Sequence, residues 1–174
     1  GAELMTKFLD SMRRESGAII AVAVAAAIGL SGCSAEKFVE AQNKAREASM
    51  KANMRTVQIA AESYATDNGG KYPSEVDTNF KSYFPGGSSG GSAPTAGKAP
   101  INPYDLQTEW PVIGHVTDVA ASRKDRSVSL EKGAIEYSPI GGPPATSYAI
   151  RGGGDDGKVV AARDPSSALV LSNQ

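Results

Sequence analysis

Few side chains in this sequence of 174 residues could perform chemistry, and they lie far apart. The chain has one cysteine, Cys33, and one histidine, His115, which excludes an intramolecular disulfide and a zinc site built from cysteine and histidine. The pattern Gly-x-Ser-x-Gly occurs only inside the glycine- and serine-rich segment Gly86 to Gly91, without the predicted strand and helix that flank a nucleophile elbow, and Cys33 lies in an apolar segment where no base could activate its thiol. The sequence therefore predicts a protein that is not an enzyme.

Two adjacent carboxylates, Asp155 and Asp156, are the candidates for metal binding. They lie in the glycine-rich segment 152–158, and calcium prefers hard oxygen ligands of this kind. Calcium needs about six oxygens or more, however, and only these two carboxylates are close in sequence. Asp-Gly between two predicted strands is also the usual signal of a tight hairpin turn. The segment is predicted to be a turn, with calcium as the weaker alternative and no other cofactor expected.

The overall charge excludes one class of partner. The formal net charge is −1, and the isoelectric point is near 5.9. Such a chain has no basic field to hold a polyanion, so no nucleic-acid partner is expected. Segment 86–99 is rich in glycine and serine, but no Gly-Lys-Ser or Gly-Lys-Thr follows its glycines, so it is predicted to be a flexible surface loop rather than a phosphate-binding loop.

An apolar segment near the amino terminus indicates export. Gly17 to Ala35 is about 19 residues without a charge, and basic residues precede it at Lys7, Arg13 and Arg14. As a helix it would be roughly 28 Å long, just enough for a hydrocarbon core of about 30 Å. Residues 1–35 are therefore predicted to be a signal or leader with an apolar membrane segment, and the protein is expected in the cell envelope, anchored to a membrane.

The end of this segment allows one type of anchor. Leu30-Ser31-Gly32-Cys33 resembles the lipobox of bacterial lipoproteins, in which small residues precede a cysteine at the end of a short apolar core. The resemblance implies that Cys33 is acylated and becomes the first mature residue. Two or more acyl chains would give lasting attachment to a membrane.

A long amphipathic helix is predicted over residues 36–68. Good helix formers dominate this stretch, and Asp67-Asn68-Gly69-Gly70 is a stop signal. Apolar residues recur at helical spacing along one face and are expected to pack on a sheet. They are Met50, Met54, Val57, Ala61 and Tyr64, with Phe38 and several alanines beside them.

The segment from Phe38 to Pro73 resembles the amino-terminal helix of type IV pilins and of the pseudopilins of type II secretion. The signature at its end, Tyr-Ala-x-Asp-x-Gly-x-Tyr-Pro in that family, corresponds here to Tyr64 to Pro73, with one additional residue between Gly69 and Tyr72. Segment 12–17 is similar to the end of a prepilin leader, which implies cleavage between Gly17 and Ala18. The mature helix would then keep its apolar half, as an alternative to the lipidated anchor at Cys33.

Short predicted strands follow the helix, separated by glycine and proline. They lie within residues 108–172, and one long helix followed by short strands is typical of an α+β domain. The expected fold is pilin-like, with the long helix packed on a small antiparallel sheet, and the globular domain is expected to span residues 36–174.

Two functions remain open at this point. The resemblance implies a structural subunit of a pilus-like or pseudopilus-like filament, which assembles through its helix and displays the sheet as a head. The alternative is a membrane-tethered lipoprotein whose pilin-like head is a binding or secretion-accessory module. The partners implied are a membrane, other copies or other pilin-like subunits, and the secretion or pilus assembly machinery.

Overall fold

A computed structural model describes residues 35–90 and 93–174, together with the bounds of the first helix. There are three helices and three strands in the part of the chain so described. In chain order they are α1 (Ala2–Asp67), α2 (Thr78–Lys81), β1 (Val112–Ile113), α3 (Val119–Lys124), β2 (Ile135–Ile140) and β3 (Ser147–Gly152).

The chain divides into two compact units, Gly1–Asn43 and Lys44–Gln174. In the first unit the described residues, 35–43, all belong to α1, and most of them are exposed. The second unit contains the rest of α1 and all of the sheet. It is an α+β domain in which the helix packs on the sheet, as predicted.

The predicted stop signal lies where α1 ends. The helix ends at Asp67, and the backbone N–H of Gly70 donates to the carbonyl of Ala65 over 2.8 Å. Gly69 and Gly70 have φ angles of 64° and 80°, which glycine adopts without steric cost. The Asn68 side chain donates to the carbonyl of Tyr64 over 2.8 Å. These bonds satisfy carbonyls that the end of a helix leaves unpaired.

The sheet is mixed, so the prediction of a purely antiparallel sheet was wrong. Its strand order is β1-β2-β3. β2 and β3 are antiparallel, with Tyr137 opposite Ile150, whereas β1 runs parallel to β2, with Ile113 opposite Tyr137. Parallel neighbours need a crossover connection of about a dozen residues or more. Here the connection between Ile113 and Ile135 contains α3, which the sequence analysis did not predict.

The helix α3 begins with a cap of its own. Asp118 precedes the helix, and its carboxylate accepts a hydrogen bond from the backbone N–H of Ala121 over 2.9 Å. A carboxylate in this position satisfies one of the free N–H groups of the first turn. Arg123 and Lys124 lie in the last turn, where positive charges interact favourably with the helix dipole.

Three segments of the region predicted to contain short strands, residues 108–172, form isolated bridges instead of extended ladders. Segments 128–130 and 158–161 meet at Ser129 and Lys158, and segment 168–171 meets β3 through Leu171. Leu171 and Ile150 exchange two backbone hydrogen bonds of 2.8 and 3.1 Å. The carboxy-terminal segment thus extends the paired region beyond β3.

Hydrophobic cores lie on both faces of the sheet. The larger core is between the sheet and α1, and its largest members are Tyr137, Tyr148, Phe80, Phe84, Met50, Met54 and Ile150. The helix approaches β3 closely at Gly152, where an added Cβ would lie 2.6 Å from Met50 Cε. The smaller core contains Val116, Val119, Ala149, Val159, Ala168 and Val170. A sheet covered on both faces explains why every residue of β3 except Arg151 is buried.

Candidate functional site

The predicted function depends on the helix α1. One face of this helix packs against the sheet in the larger core. Met50, Met54, Val57 and Ala61 are completely buried in the larger core. Tyr64 is partly buried, and its ring lies edge-on to that of Tyr83 with centroids 5.3 Å apart. These five residues of the predicted apolar face therefore pack in the core, whereas Ala45, Ala48 and Ala52, predicted beside them, are exposed.

Phe38 lies elsewhere on the chain, in the first unit. Its side chain is 64% exposed, and its neighbour Val39 is 53% exposed. Neither residue is part of the cores described above. Phe38, predicted beside the apolar face of the helix, is therefore an exposed residue rather than a core residue.

A polar contact that the sequence analysis missed joins α1 to the sheet. The carboxylate of Glu62 accepts hydrogen bonds from Tyr148 over 2.6 Å and from Tyr72 over 3.0 Å. Gln58, one turn earlier, donates to the Tyr148 hydroxyl over 3.3 Å. Burial raises the pKa of Tyr148, and the hydrogen bond to Glu62 raises it further, so this hydroxyl remains a proton donor. The rings of Tyr72 and Tyr148 are in contact, with centroids 4.8 Å apart.

Removal of this carboxylate should weaken the helix–sheet contact. In Glu62→Ala the two tyrosine hydroxyls lose their acceptor. Hydrogen bonds to charged groups are each worth about 1.5 to 3 kcal/mol, but Glu62 is only partly buried and water can replace some of the loss, so we expect the free energy of unfolding to fall by about 2 to 4 kcal/mol. Urea denaturation followed by Trp110 fluorescence measures the change. Glu62→Gln keeps an acceptor and should recover part of the loss. Equal stability of Glu62→Ala and the unaltered chain would contradict this role.

The outer face of α1 within the second unit is unusual for an exposed surface. At about 100° per residue, a sector of roughly 60° contains six residues and no charge. These residues are Ala45, Ala48, Ala52, Ile59, Ser63 and Thr66, all exposed, and Ile59 is 65% exposed. Exposed helix faces usually carry charged side chains. Small residues without charge let another helix approach closely, so we refer to these six residues as the uncharged face.

The two metal candidates are engaged in ion pairs. Asp155 pairs with Lys132 over 3.3 Å, and Asp156 pairs with Arg126 over 2.9 Å. The segment forms a turn in which the N–H of Gly157, at a φ angle of 70°, donates to the carbonyl of Gly154. A calcium ion would have to displace both cations. In the part of the chain that the structure describes, no group of three potential metal ligands is present.

The predicted processing and lipidation sites, Gly17, Ala18 and Cys33, lie outside the described residues, as does most of the apolar segment. Among the described residues, no helical stretch is both long and apolar enough to cross a membrane.

The single histidine lies at the surface of the domain. His115 is exposed, next to the end of β1. Beside it, the N–H of Val116 donates over 3.1 Å to the buried hydroxyl of Ser138, which in turn donates to Glu136. Glu136 in turn pairs with Arg151 on the adjacent strand. This network joins the connection after β1 to the sheet, which is a structural role.

The ends of the predicted surface loop, residues 86–99, are attached to α2 and the residues after it. Gly97 donates to the carbonyl of Lys81 over 2.9 Å, and Lys98 donates to that of Pro85 over 2.9 Å. Ser88 and Thr95 form a bridge between the two sides of the loop. The ammonium of Lys81 also lies 5.2 Å from the ring centroid of Trp110. The two ends of the loop are therefore hydrogen-bonded to α2 and the residues that follow it.

Comparisons of the chain with protein-family models, with curated proteins and with solved structures gave no match.

Proposed function

We propose that this protein is a pilin-like structural subunit of the cell envelope, which assembles with other copies through α1 and displays the α+β head. The observation that carries the proposal is the two-faced character of α1 in the second unit. One face is buried under the sheet, and on the opposite side the uncharged face is an exposed strip bordered by Arg55.

The sequence supports the same assignment independently. The signature from Tyr64 to Pro73 resembles the end of the pilin helix, and in this chain it forms the junction between α1 and the head. Tyr72 contacts Tyr148, and the carbonyl of Pro73 accepts a hydrogen bond from the buried hydroxyl of Tyr137 over 2.9 Å. These contacts fix the direction in which the chain leaves the helix.

The assembly role is tested by placing a charge on the uncharged face. Ile59→Glu should abolish self-association of the full chain, because transfer of a carboxylate from water to a contact between helices costs several kcal/mol, more than a surface pair with Arg55 one turn earlier would return. Because Ile59 is exposed, the head should keep its stability. Sedimentation and negative-stain microscopy of the full chain measure assembly, and Trp110 fluorescence measures folding.

The control adds the same charge to another exposed position, Thr117. Thr117→Glu should leave assembly unchanged. Normal assembly of the Ile59→Glu variant would show that the uncharged face of α1 is not an interface.

A tethered lipoprotein is the second candidate, and the segment Leu30 to Cys33 favours it. In this alternative Cys33 carries the membrane anchor, and the head acts as a binding or secretion-accessory module. The intact mass of the mature protein distinguishes the two. Acyl groups on a chain that begins at Cys33 support the lipoprotein, and an unacylated chain that begins at Ala18 supports the cleaved pilin-like subunit.

A further inference from the structure

The turn between Ile101 and Thr108 displays a large apolar side chain in an unfavourable backbone conformation. Leu106 has a φ angle of 66°, in the left-handed region that bulky residues rarely adopt. Its side chain is 75% exposed, so it gains little from packing within its own chain. Such an outlier is a reason to look for a function outside the monomer.

The turn is held rigidly by the rest of the head. Asn53 on α1 donates to the carbonyl of Ile101 over 2.7 Å. The buried side chain of Asn102 donates to the carbonyl of Lys132 over 3.0 Å and accepts from the N–H of Tyr104 over 2.9 Å. Leu106 is thus presented on a fixed base, which lowers the entropy lost when it binds.

An acidic side chain adjoins this leucine. Asp105 is exposed, and one of its carboxylate oxygens accepts a hydrogen bond from the N–H of Gln107 over 2.9 Å. We call Asp105 and Leu106 the tip. It combines a protruding apolar group with a negative charge.

A groove with complementary properties lies elsewhere on the head. It has a volume of about 440 Å³ and lies between α3 and the carboxy-terminal region. Its lining is mostly apolar, with Arg123 and Lys124 as its only charged residues: Ala120, Arg123, Lys124, Ala162, Ser167, Ala168, Leu169 and Val170. Both are exposed, and Arg123 donates to the carbonyls of Val170 and Gln174 over 3.4 and 3.0 Å. The groove therefore offers an apolar surface beside a positive charge.

We propose that the tip of one copy docks in the groove of a second copy, with Leu106 on the apolar lining and Asp105 paired with Lys124. The match of an acid beside a protruding apolar group with a base beside an apolar groove favours another copy of this chain as the occupant. Because tip and groove are different surfaces, the contact is heterologous and repeats from copy to copy. The inference rests on the proposed function, to which it adds a contact between heads.

A charge exchange in the full chain tests the pairing. Asp105→Lys and Lys124→Asp, each alone, should weaken self-association by about tenfold or more, the effect of losing a favourable contact of this size. The two changes together restore opposite charges and should recover association. The matched control combines Asp105→Lys with Lys98→Asp, which lies outside the groove and should recover nothing.

Leu106→Gly separates docking from folding. Glycine fits a positive φ angle, so the melting temperature should be unchanged or higher. Association should nevertheless weaken by about tenfold, because the apolar group is lost. Association as strong as that of the unaltered chain would overturn the proposal.

Crosslinking locates the contact directly. A photoreactive phenylalanine analogue at position 106, in a mixture of isotopically light and heavy chains, should form crosslinks between copies to residues 120–124 or 162–170. Crosslinks only elsewhere overturn the docking. If Ile59→Glu disrupts assembly and the tip variants do not, the docking is wrong and the proposed function stands. If the unaltered chain shows no self-association, both are wrong.

Discussion

Replacing Met54 by alanine is expected to lower the free energy of unfolding by about 2 to 5 kcal/mol. Met54 is completely buried where α1 meets β3, and an added Cβ at Gly152 would lie 2.8 Å from its sulfur atom. The truncation removes apolar contacts and leaves a cavity that the sheet and helix close only in part. Urea denaturation followed by Trp110 fluorescence measures the loss.

Ile59→Ala is the matched control on the same helix. It removes a side chain of similar size, but Ile59 is 65% exposed on the uncharged face. We expect a change within about 0.5 kcal/mol, because alanine also has the higher helix propensity. Similar losses for Met54→Ala and Ile59→Ala would show that the sheet does not cover the inner face of α1.

Replacing Arg151 by methionine is the second change with a large expected effect. Arg151 pairs with Glu136 over 2.7 Å, and the two side chains are only 11% and 12% exposed. Without the arginine, the carboxylate of Glu136 stays buried with the hydroxyl of Ser138 as its remaining donor. Removal of one partner from a buried ion pair costs about 3 to 5 kcal/mol, because the other charge is left uncompensated. Equilibrium denaturation measures the change.

An exposed ion pair in the same region provides the control. Lys132 pairs with Asp155 over 3.3 Å, but these side chains are 54% and 50% exposed. Lys132→Met should therefore change stability by less than about 1 kcal/mol. A small effect of Arg151→Met would indicate that the carboxylate of Glu136 reaches solvent once its partner is gone. The double variant Arg151→Met with Glu136→Leu, which removes both charges, should recover much of the stability.

The burial of α1 was predictable because it depends on local spacing. Residues three and four apart on a helix share a face, so the recurrence of Met50, Met54 and Val57 identified the buried side before any partner was known. The same is true of the end of the helix, since Asn68 and Gly69 are residues that adopt the left-handed conformation readily. The turn in the glycine-rich segment 152–158 was predicted from its Asp-Gly pair, which favours a tight turn between strands.

Strand direction was not predictable in this way. The residues of β1 look the same whether the strand runs parallel or antiparallel to β2, and the answer depends on how the connecting segment crosses the sheet. That segment contains α3, which is only six residues long and gives a weak periodic signal. Its cap at Asp118 was the one local sign of a helix.

The polar contacts between distant segments were also invisible in the sequence. Glu62 and Tyr148 are 86 residues apart, and Glu136 and Arg151 are 15 apart on different strands. Only the tertiary structure brings them within hydrogen-bonding distance. The sequence by itself determined the long helix, its buried face and the class of fold, because these follow from periodicity within one segment. The mixed sheet, the two carboxylate contacts and the tip at Leu106 were decided by packing between segments, which the chain acquires only when it folds.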